Sequence, residues 1–484
     1  MSQMSQIPDL MRIGALPSNT EMNVDSDILE PVVFSDTFAR FRLQNKGILH
    51  SNSKLTFSVD ISAAAHGNGK SHFPLNVGVH SLIDRCVLKS GTKTICETSD
   101  FNHFSAYQSG FINPQHNKQR ESVANGRMMC RKWEYDDGDA ALSTNGAGAG
   151  ASNTSAPKYS LDFGTEVDRF NKTVGLREYS LPQYNIMEKG GTTPATKTSP
   201  VYQIALNDLF PFLKMNQLPL YMMREELDIE LHFAGNTSRG CVVADHGVSF
   251  KVDRDECKFI ADYIYYPQEM MESYASANRK MSFTYVDYRL SKLTVDNETA
   301  PGSQTVIRNL GGAGRIVNKL FYSLSEHSIA NPERVPFNKF TSQGTQVDKT
   351  NAAATARNMG VLSHNIRYND NYLYPVDITN RARMFDNISQ AHGSVPFISK
   401  DEYSGEMGLI TTNLVSGREF ETNADTKFTF VEDRLNRNER INSRGIELYE
   451  TWGNLPDKKF TLRCWLEVVR LCVLEDGVLT PSFA

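Results

Sequence analysis

Two stretches of the chain alternate apolar and polar residues without a break: Leu55-Thr56-Phe57-Ser58-Val59-Asp60-Ile61 and Leu227-Asp228-Ile229-Glu230-Leu231-His232-Phe233. Period two puts one side of a strand on a core and the other toward water, as half-buried antiparallel sheet requires. The same reading predicts strands over 38–43, 83–88, 259–266, 283–290, 316–324, 428–431 and 460–474. In the last of these, Leu462, Cys464, Leu466 and Val468 keep phase and the phase then changes at Val469, which predicts a bulge or burial on both faces. Helical signals are few. Asn207-Asp208 is placed to cap a turn over 209–214, and 434–442 reads as a second short helix. No helix–strand alternation of the kind that builds parallel sheets is visible, so the fold class is all-β.

Long polar stretches separate the strands. Residues 143–156 are a Gly/Ala/Ser tract, and 188–200 and 341–358 are similar in character. None has the means to form a core, and loops of this length usually cover a surface or carry contacts. The two halves also follow a similar script. An alternating strand around Phe57 corresponds to one around Phe283, an apolar strand around Ile83 to one around Val317, and Leu218-Pro219 to Leu455-Pro456. The repeat is one of pattern, not identity, and predicts two β domains of one kind in tandem.

Composition narrows the class. A length of 484 residues suits two or three domains, and 40% apolar with 22% charged residues is a globular mixture. With 51 Lys and Arg against 56 Asp and Glu, the net charge is −5, the wrong sign for a protein that coats nucleic acid by neutralisation. Phe (26) and Tyr (19) far outnumber Trp (3), in keeping with strands. No apolar run approaches a membrane span, and the start of the chain, broken by Pro8 and Pro17, does not read as a secretory signal. The seven cysteines are scattered and odd in number with no CxxC pair, which predicts reduced, buried thiols in a cytosol-made protein. Five glycosylation sequons, at Asn153, Asn171, Asn236, Asn297 and Asn387, read as chance matches on loops.

Candidate chemistry is thin. Ala64 to Ser71, AAHGNGKS, fits a relaxed phosphate loop after a strand, yet Pro74 and the alternating run beyond it start no long helix. It reads as an inter-strand loop. Asn309 to Arg315, NLGGAGR, lacks dinucleotide spacing and reads as a turn. Asp136, Asp137 and Asp139 form an incomplete cation loop. The eleven histidines show no HxH or HxxxH spacing. Arg434, Arg437, Arg440 and Arg444 form a basic stripe, read as a solvated helix face or, more sharply, a contact patch. No Gly-x-Ser-x-Gly elbow occurs. No catalytic, metal or cofactor-binding residue is assigned.

Residues 200–233, PVYQIALNDLFPFLKMNQLPLYMMREELDIELHF, and 459–479, KFTLRCWLEVVRLCVLEDGVL, carry a resemblance. The first joins an apolar helical segment, Leu218-Pro219-Leu220 and an alternating strand; the second resembles a pair of closing strands. Together with the tandem pattern, they resemble the double jelly-roll major capsid proteins of polinton-like viruses, virophages and related eukaryotic DNA viruses. The resemblance implies an N-terminal arm over 1–27 and jelly rolls over 28–270 and 271–484. It implies a non-enzymatic, cofactor-free subunit that forms pseudo-hexameric homotrimers tiling an icosahedral shell. The implied partners are further copies and penton and minor capsid proteins, with no sequence-specific nucleic-acid binding; whether an inner membrane lies beneath is left open by the sequence. The implied place is the virion, after synthesis in the host cytoplasm. Two alternatives stand beside it: a β-sandwich that binds or cleaves carbohydrate, for which three Trp are thin support, and a viral penton or spike protein.

Overall fold

The computed structural model describes residues 22–63, 73, 77–105, 124–126, 195–235, 241, 248–296, 302–326, 360–378, 429–432, 439–455 and 459–483. Strands dominate. In the first half they are β1 (Asn23–Leu29), β2 (Val33–Ser35), β3 (Phe38–Leu43), β4 (Ile48–Leu49), β5 (Lys54–Phe57), β6 (Val59–Ala63), β7 (Ile83–Ser90), β8 (Lys93–Ser99), β9 (Ala195–Thr198), β10 (Tyr202–Ala205), β11 (Leu227–Phe233), β12 (Val248–Val252) and β13 (Lys258–Tyr265). The second half holds β14 (Lys280–Asp296), β15 (Gly302–Gly311), β16 (Val317–Glu326), β17 (Gly360–Tyr368), β18 (Asn371–Tyr372), β19 (Thr429–Glu432), β20 (Ile446–Leu455), β21 (Lys459–Glu475) and β22 (Val478–Phe483). Short α-helices among the described residues include α1 (Leu206–Leu209), α2 (Pro211–Met215) and α3 (Gln268–Ala277).

The pairing order reveals the architecture. In the first half, one sheet runs β1-β13-β5-β10 and the other β2-β3-β11-β7-β8, with β12-β6-β9 as a small extension. In the second half the sheets run β14-β21-β16-β19, with β22 paired to β21, and β15-β20-β17-β18. Set side by side in chain order, β1, β3, β5, β7, β8, β10, β11 and β13 take the same places as β14 to β21. Each half is therefore an eight-stranded antiparallel sandwich with jelly-roll connections.

The alternating strand at 227–233 forms as read. Leu227, Ile229, Leu231 and Phe233 are buried, while Arg42 on β3 pairs with Asp228 at 3.0 Å. In the 55–61 segment the strand divides at Ser58: β5 pairs with β13 and β10, and β6 pairs with β12 and β9. Ser58 is fully buried and its hydroxyl donates to Asp253 at 3.3 Å, so the inward row Leu55, Phe57, Val59 continues across the division.

Several expectations are corrected. The helical segment at 209–214 is two short helices, with Ala205 and Phe210 at the N-cap positions and no side-chain cap, so Asn207 and Asp208 cap nothing. Pro211 begins α2, where its missing N–H costs nothing. The stretch 188–200 is not all loop, because β9 lies within it and pairs with β6. The expected helix over 434–442 is extended at 439–442, where Arg440 bridges Ile316; 433–438 lie outside the described residues. Residues 23–27, expected in an arm, open β1 and pair with β13; 1–21 lie outside the described residues. The two halves repeat, but not in the register read from sequence. Phe57 on β5 has its counterpart on β16, whereas Phe283 lies on β14, the counterpart of β1. Unequal insertions, between β8 and β10 in one half and β16 and β17 in the other, make the offset drift along the chain.

Leu231 sits at the centre of its sheet, 0% exposed and paired on both sides. Leu231→Ala should lower unfolding stability by about 2–5 kcal/mol, measured by chemical denaturation.

Candidate functional site

The most elaborated polar site in the described residues lies where the two sandwiches meet. β8 is an edge strand: β7 pairs with one side only, and an open edge must be covered or blunted. Here it is covered by the ribbon of β14 and β21, which pair without a register shift from Lys280 opposite Glu475 to Asp296 opposite Lys459.

Side chains of the ribbon satisfy the backbone of β8. The Tyr285 hydroxyl donates to the Ile95 carbonyl at 2.5 Å, and Arg470 Nη1 donates to the same oxygen at 3.0 Å. Arg470 also holds Asp287 at 2.8 Å, and the other Asp287 oxygen accepts the Glu97 backbone N–H at 3.3 Å. Both charged side chains are nearly inaccessible, at 9% and 4%. Burial pushes the Asp287 carboxyl up from its ordinary range, and Arg470 and the Glu97 N–H pull it back.

A second layer follows β8. Asp100, in the left-handed region at φ 52°, accepts from Arg463 at 2.8 Å and from Lys292 at 2.6 Å. Asp is among the few residues that tolerate such a φ. The Trp465 indole N–H donates to the Ser99 carbonyl at 3.3 Å. Residues 101–105 are helical, and Phe104 packs on Tyr288, Trp465 and Phe321 at centroid distances of 4.3, 5.5 and 6.2 Å. From the first half, Phe212 on α2 lies edge-on to Phe283 and Tyr285. The two cores interlock as a result: the first contains Phe283, Tyr285, Cys472, Leu474 and Leu479, and the second contains Phe104.

This joint explains the phase change read at Val469. β21 keeps its parity throughout, and Leu462, Cys464, Leu466, Val468, Arg470, Cys472 and Leu474 are all buried. Arg470 occupies an inward position, so the pattern breaks on paper while the strand does not. Neither expectation is met in β21 itself: its ladder with β14 runs unshifted, Val469, Leu471 and Val473 are half-buried, and the nearby shift in pairing places its extra residue, Asn318, on β16.

Away from the joint, two surfaces stand open. On the outer face of the first sheet, Val24 and Ile28 of β1 lie opposite Ile264 and Ile260 of β13, and Ile48 of β4 flanks Ile264. The row leads to a groove of 460 Å³ beside α3, lined by Ile48, Tyr221, Tyr266, Met270, Met271 and Tyr274. Helix α3 has no buried residue; its apolar row, Met270, Tyr274 and Ala277, faces the groove. On the second sandwich, Tyr372 of β18 stands exposed, edge-on to Tyr449 at 5.5 Å, and Val376 follows it.

The sequence candidates do not converge. Residues 64–71, Asp136 to Asp139, Arg434 and Arg437, Trp133 and all five sequons lie outside the described residues. The 309–315 cluster is the turn from β15 to β16, with Gly311 and Gly312 both at φ 85° and Gly314 at 71°. Arg440 is exposed, and Arg444 reaches Asp370 at 2.5 Å across the β17–β18 turn. Trp465, 0% exposed, offers no platform to a sugar. Among the described residues, no group of three His, Cys, Asp or Glu is placed to hold a metal ion. The six cysteines among the described residues are free and buried, and burial pushes the thiols of Cys86, Cys241, Cys257 and Cys472 up to about 12.

No protein-family model matches the sequence, and no curated protein matches it either. Solved structures do. A chain of the Sputnik virophage, from its cryo-electron microscopy structure, is similar at TM-score 0.60 and 12% identity, covering 98% of this chain and 90% of that one. The Faustovirus major capsid protein is similar at TM-score 0.54 and 9% identity, covering 96% and 92%. The mavirus major capsid protein gives TM-score 0.53 and 10% identity, covering 98% and 91%. The fold of this chain is the double jelly roll.

Two outcomes test the joint. Asp287→Ala leaves Arg470 buried without its carboxylate and should cost about 3–5 kcal/mol in chemical denaturation. Glu467, on the same ribbon, is pushed up by burial against the opposing pull of Lys319, Asn318 and Tyr288. A carboxyl raised in the folded state favours folding while protonated, and that advantage is lost as pH rises from the unfolded value, about 4.3, through the folded one. Glu467→Gln should therefore raise the melting temperature at pH 7 and flatten its fall between pH 4 and 7.

Proposed function

We propose that this chain is a major capsid protein, a structural subunit that self-assembles into the shell of a virus. The observation that carries the reading is the repeat itself. Two jelly rolls in the same strand order are locked into one block by a buried, ion-paired joint, and each is a unit of the same kind. The fold is shared with the major capsid proteins of Faustovirus and mavirus over nearly the whole chain. A block with two equivalent sandwiches gives a six-sided capsomer when three copies close into a ring, and such rings tile a facet with a single gene product.

In this reading the first jelly roll opens with β1, at residue 23 rather than 28, and runs to 270, the second spans 271–484, and the segment before β1 acts as an arm. The chain is non-enzymatic: what the site does is exclude water and fix orientation. Its partners are further copies, pentons and minor capsid proteins, and it leaves the genome to other components. The particle assembles inside the host cell, from protein made in its cytoplasm. Trp465, sealed under Phe104, weighs against the carbohydrate reading. The presence of two sandwiches of one kind weighs against a penton or spike.

Native mass and electron microscopy test this directly. A stable complex of three chains with a six-sided outline is expected. A monodisperse monomer that assembles under no condition overturns the reading.

A further inference from the structure

The groove beside α3 is held open by its own hydrogen bonds. One wall comes from the first sandwich, through Ile48, Pro219 and Tyr221, and the other is the row Met270, Tyr274 and Ala277 along α3. The Tyr221 hydroxyl ties the two together by donating to the Met271 carbonyl at 3.3 Å. Behind it, the Tyr221 N–H donates to the Gly47 carbonyl at 3.1 Å and the Leu49 N–H to the Leu218 carbonyl at 3.0 Å. Leaving 460 Å³ with this lining to water is unfavourable, and methionine side chains adapt well to an irregular apolar guest.

The described residues begin at the mouth of this groove. Asn23 pairs with Tyr265, and Tyr266, which lines the groove, donates its hydroxyl to the Met22 sulfur at 4.0 Å. Tyr266 leads through Pro267 into α3, so Met22 stands beside the start of that helix. The 21 residues before Met22 carry Ile7, Leu10, Met11, Ile13 and Leu16, with Asp9, Arg12 and Glu21 as the charged residues. Helix α3, ten residues long, measures about 15 Å. The six steps from Met22 back to Leu16 reach about 20 Å when extended, enough to pass from the mouth of the groove to its Ala277 end. A segment tethered at the mouth has an effective concentration on the order of mM, so a contact too weak to hold a free peptide is still made.

We propose that residues 7–21 lie along the α3 groove of their own chain, with Ile13 and Leu16 seated between α3 and the wall formed by Ile48 and Tyr221. The segment before β1 is then stowed on its own subunit. It covers an apolar surface that a lone subunit would otherwise present, and it must lift before any other molecule can use the groove. The inference concerns the single chain and goes beyond the shell reading: it holds whether or not copies assemble.

The experiment uses the full chain. In a chain carrying both Leu16→Cys and Ala277→Cys, a short bismaleimide should join the two within one chain, read as a linked peptide from the monomer band of a denaturing gel. Wild type and either single-cysteine variant should give no such peptide. In a second variant, Ile13→Asp with Leu16→Asp should release the segment and raise the fluorescence of Nile red, a neutral apolar dye, several-fold over wild type. Adding Ala277→Lys to that variant places a charge in the emptied groove and should return the signal to the wild-type level. Ala277 is exposed and lies in the last turn of α3, where a cation suits the helix dipole, so the fold tolerates both changes there. No intrachain link, or a dye signal that the two Asp changes leave as it was, overturns the inference. Links found only between chains put a second copy in the groove and overturn it as well. The native mass of the wild-type chain, which tests the shell reading, is read separately from all of these.

Discussion

The structure depends on how the edge of β8 is satisfied. An antiparallel sandwich that ends in an unpaired strand leaves backbone carbonyls and N–H groups facing outward, and water is the usual partner. Here the partner is the neighbouring sandwich. Ile95 gives its carbonyl to Tyr285 and Arg470, and Glu97 gives its N–H to Asp287. Arg470 and Asp287 neutralise each other in doing so. A buried pair of this kind adds little net stability over an apolar replacement, but it tolerates only one arrangement of its donors and acceptors. Its contribution is orientation: the hydrogen bonds from Arg470, Asp287 and Tyr285 to the backbone of β8 fix how the sandwiches meet.

The length of β14 and β21 follows from that demand. Each spans 17 residues, about three times the usual strand. One end of the ribbon lines the second core through Leu462, Cys464, Leu466 and Val468, and the other lines the first through Cys472 and Leu474. Neither core is complete without residues from the other half. The short segment after β8 closes the arrangement from the opposite side, with Phe104 counted in the core of the second sandwich.

Much of this was legible in the sequence, and the failures have physical causes. The strand at 227–233 shows its period because one face meets the core while Asp228 and Glu230 on the other pair with Arg42 and Lys89 of the flanking strands, and 38–43 alternates end to end beside it. The all-β class and the tandem organisation follow from many such segments. What the pattern hides is any position where a polar residue faces inward with a partner supplied from far along the chain. Arg470 is the clearest case, since its partner Asp287 is 183 residues away. The joint was invisible for that reason, although the apparent break in phase at Val469 marked its place. Helix α3 buries no residue, and its short apolar row, Met270, Tyr274 and Ala277, lines an open groove and was not read as a helix. The register of the repeat was misread because insertions of unequal length fall at different points in the two halves, and a fixed offset cannot follow them. The capsid reading itself came from resemblance and tandem pattern, not from any residue with a reactive group.

The cysteines have a consequence of a different kind. The six in the described residues are all buried, and burial raises their thiols well beyond the range in which thiolate forms at neutral pH. Stability here borrows nothing from disulfides, and these thiols offer nothing to an oxidant. A protein of this build can pass from a reducing compartment to an oxidising one without any change in its covalent structure at these positions. Its redox history leaves no mark on them, and a thiol that becomes reactive there reports that the fold has opened.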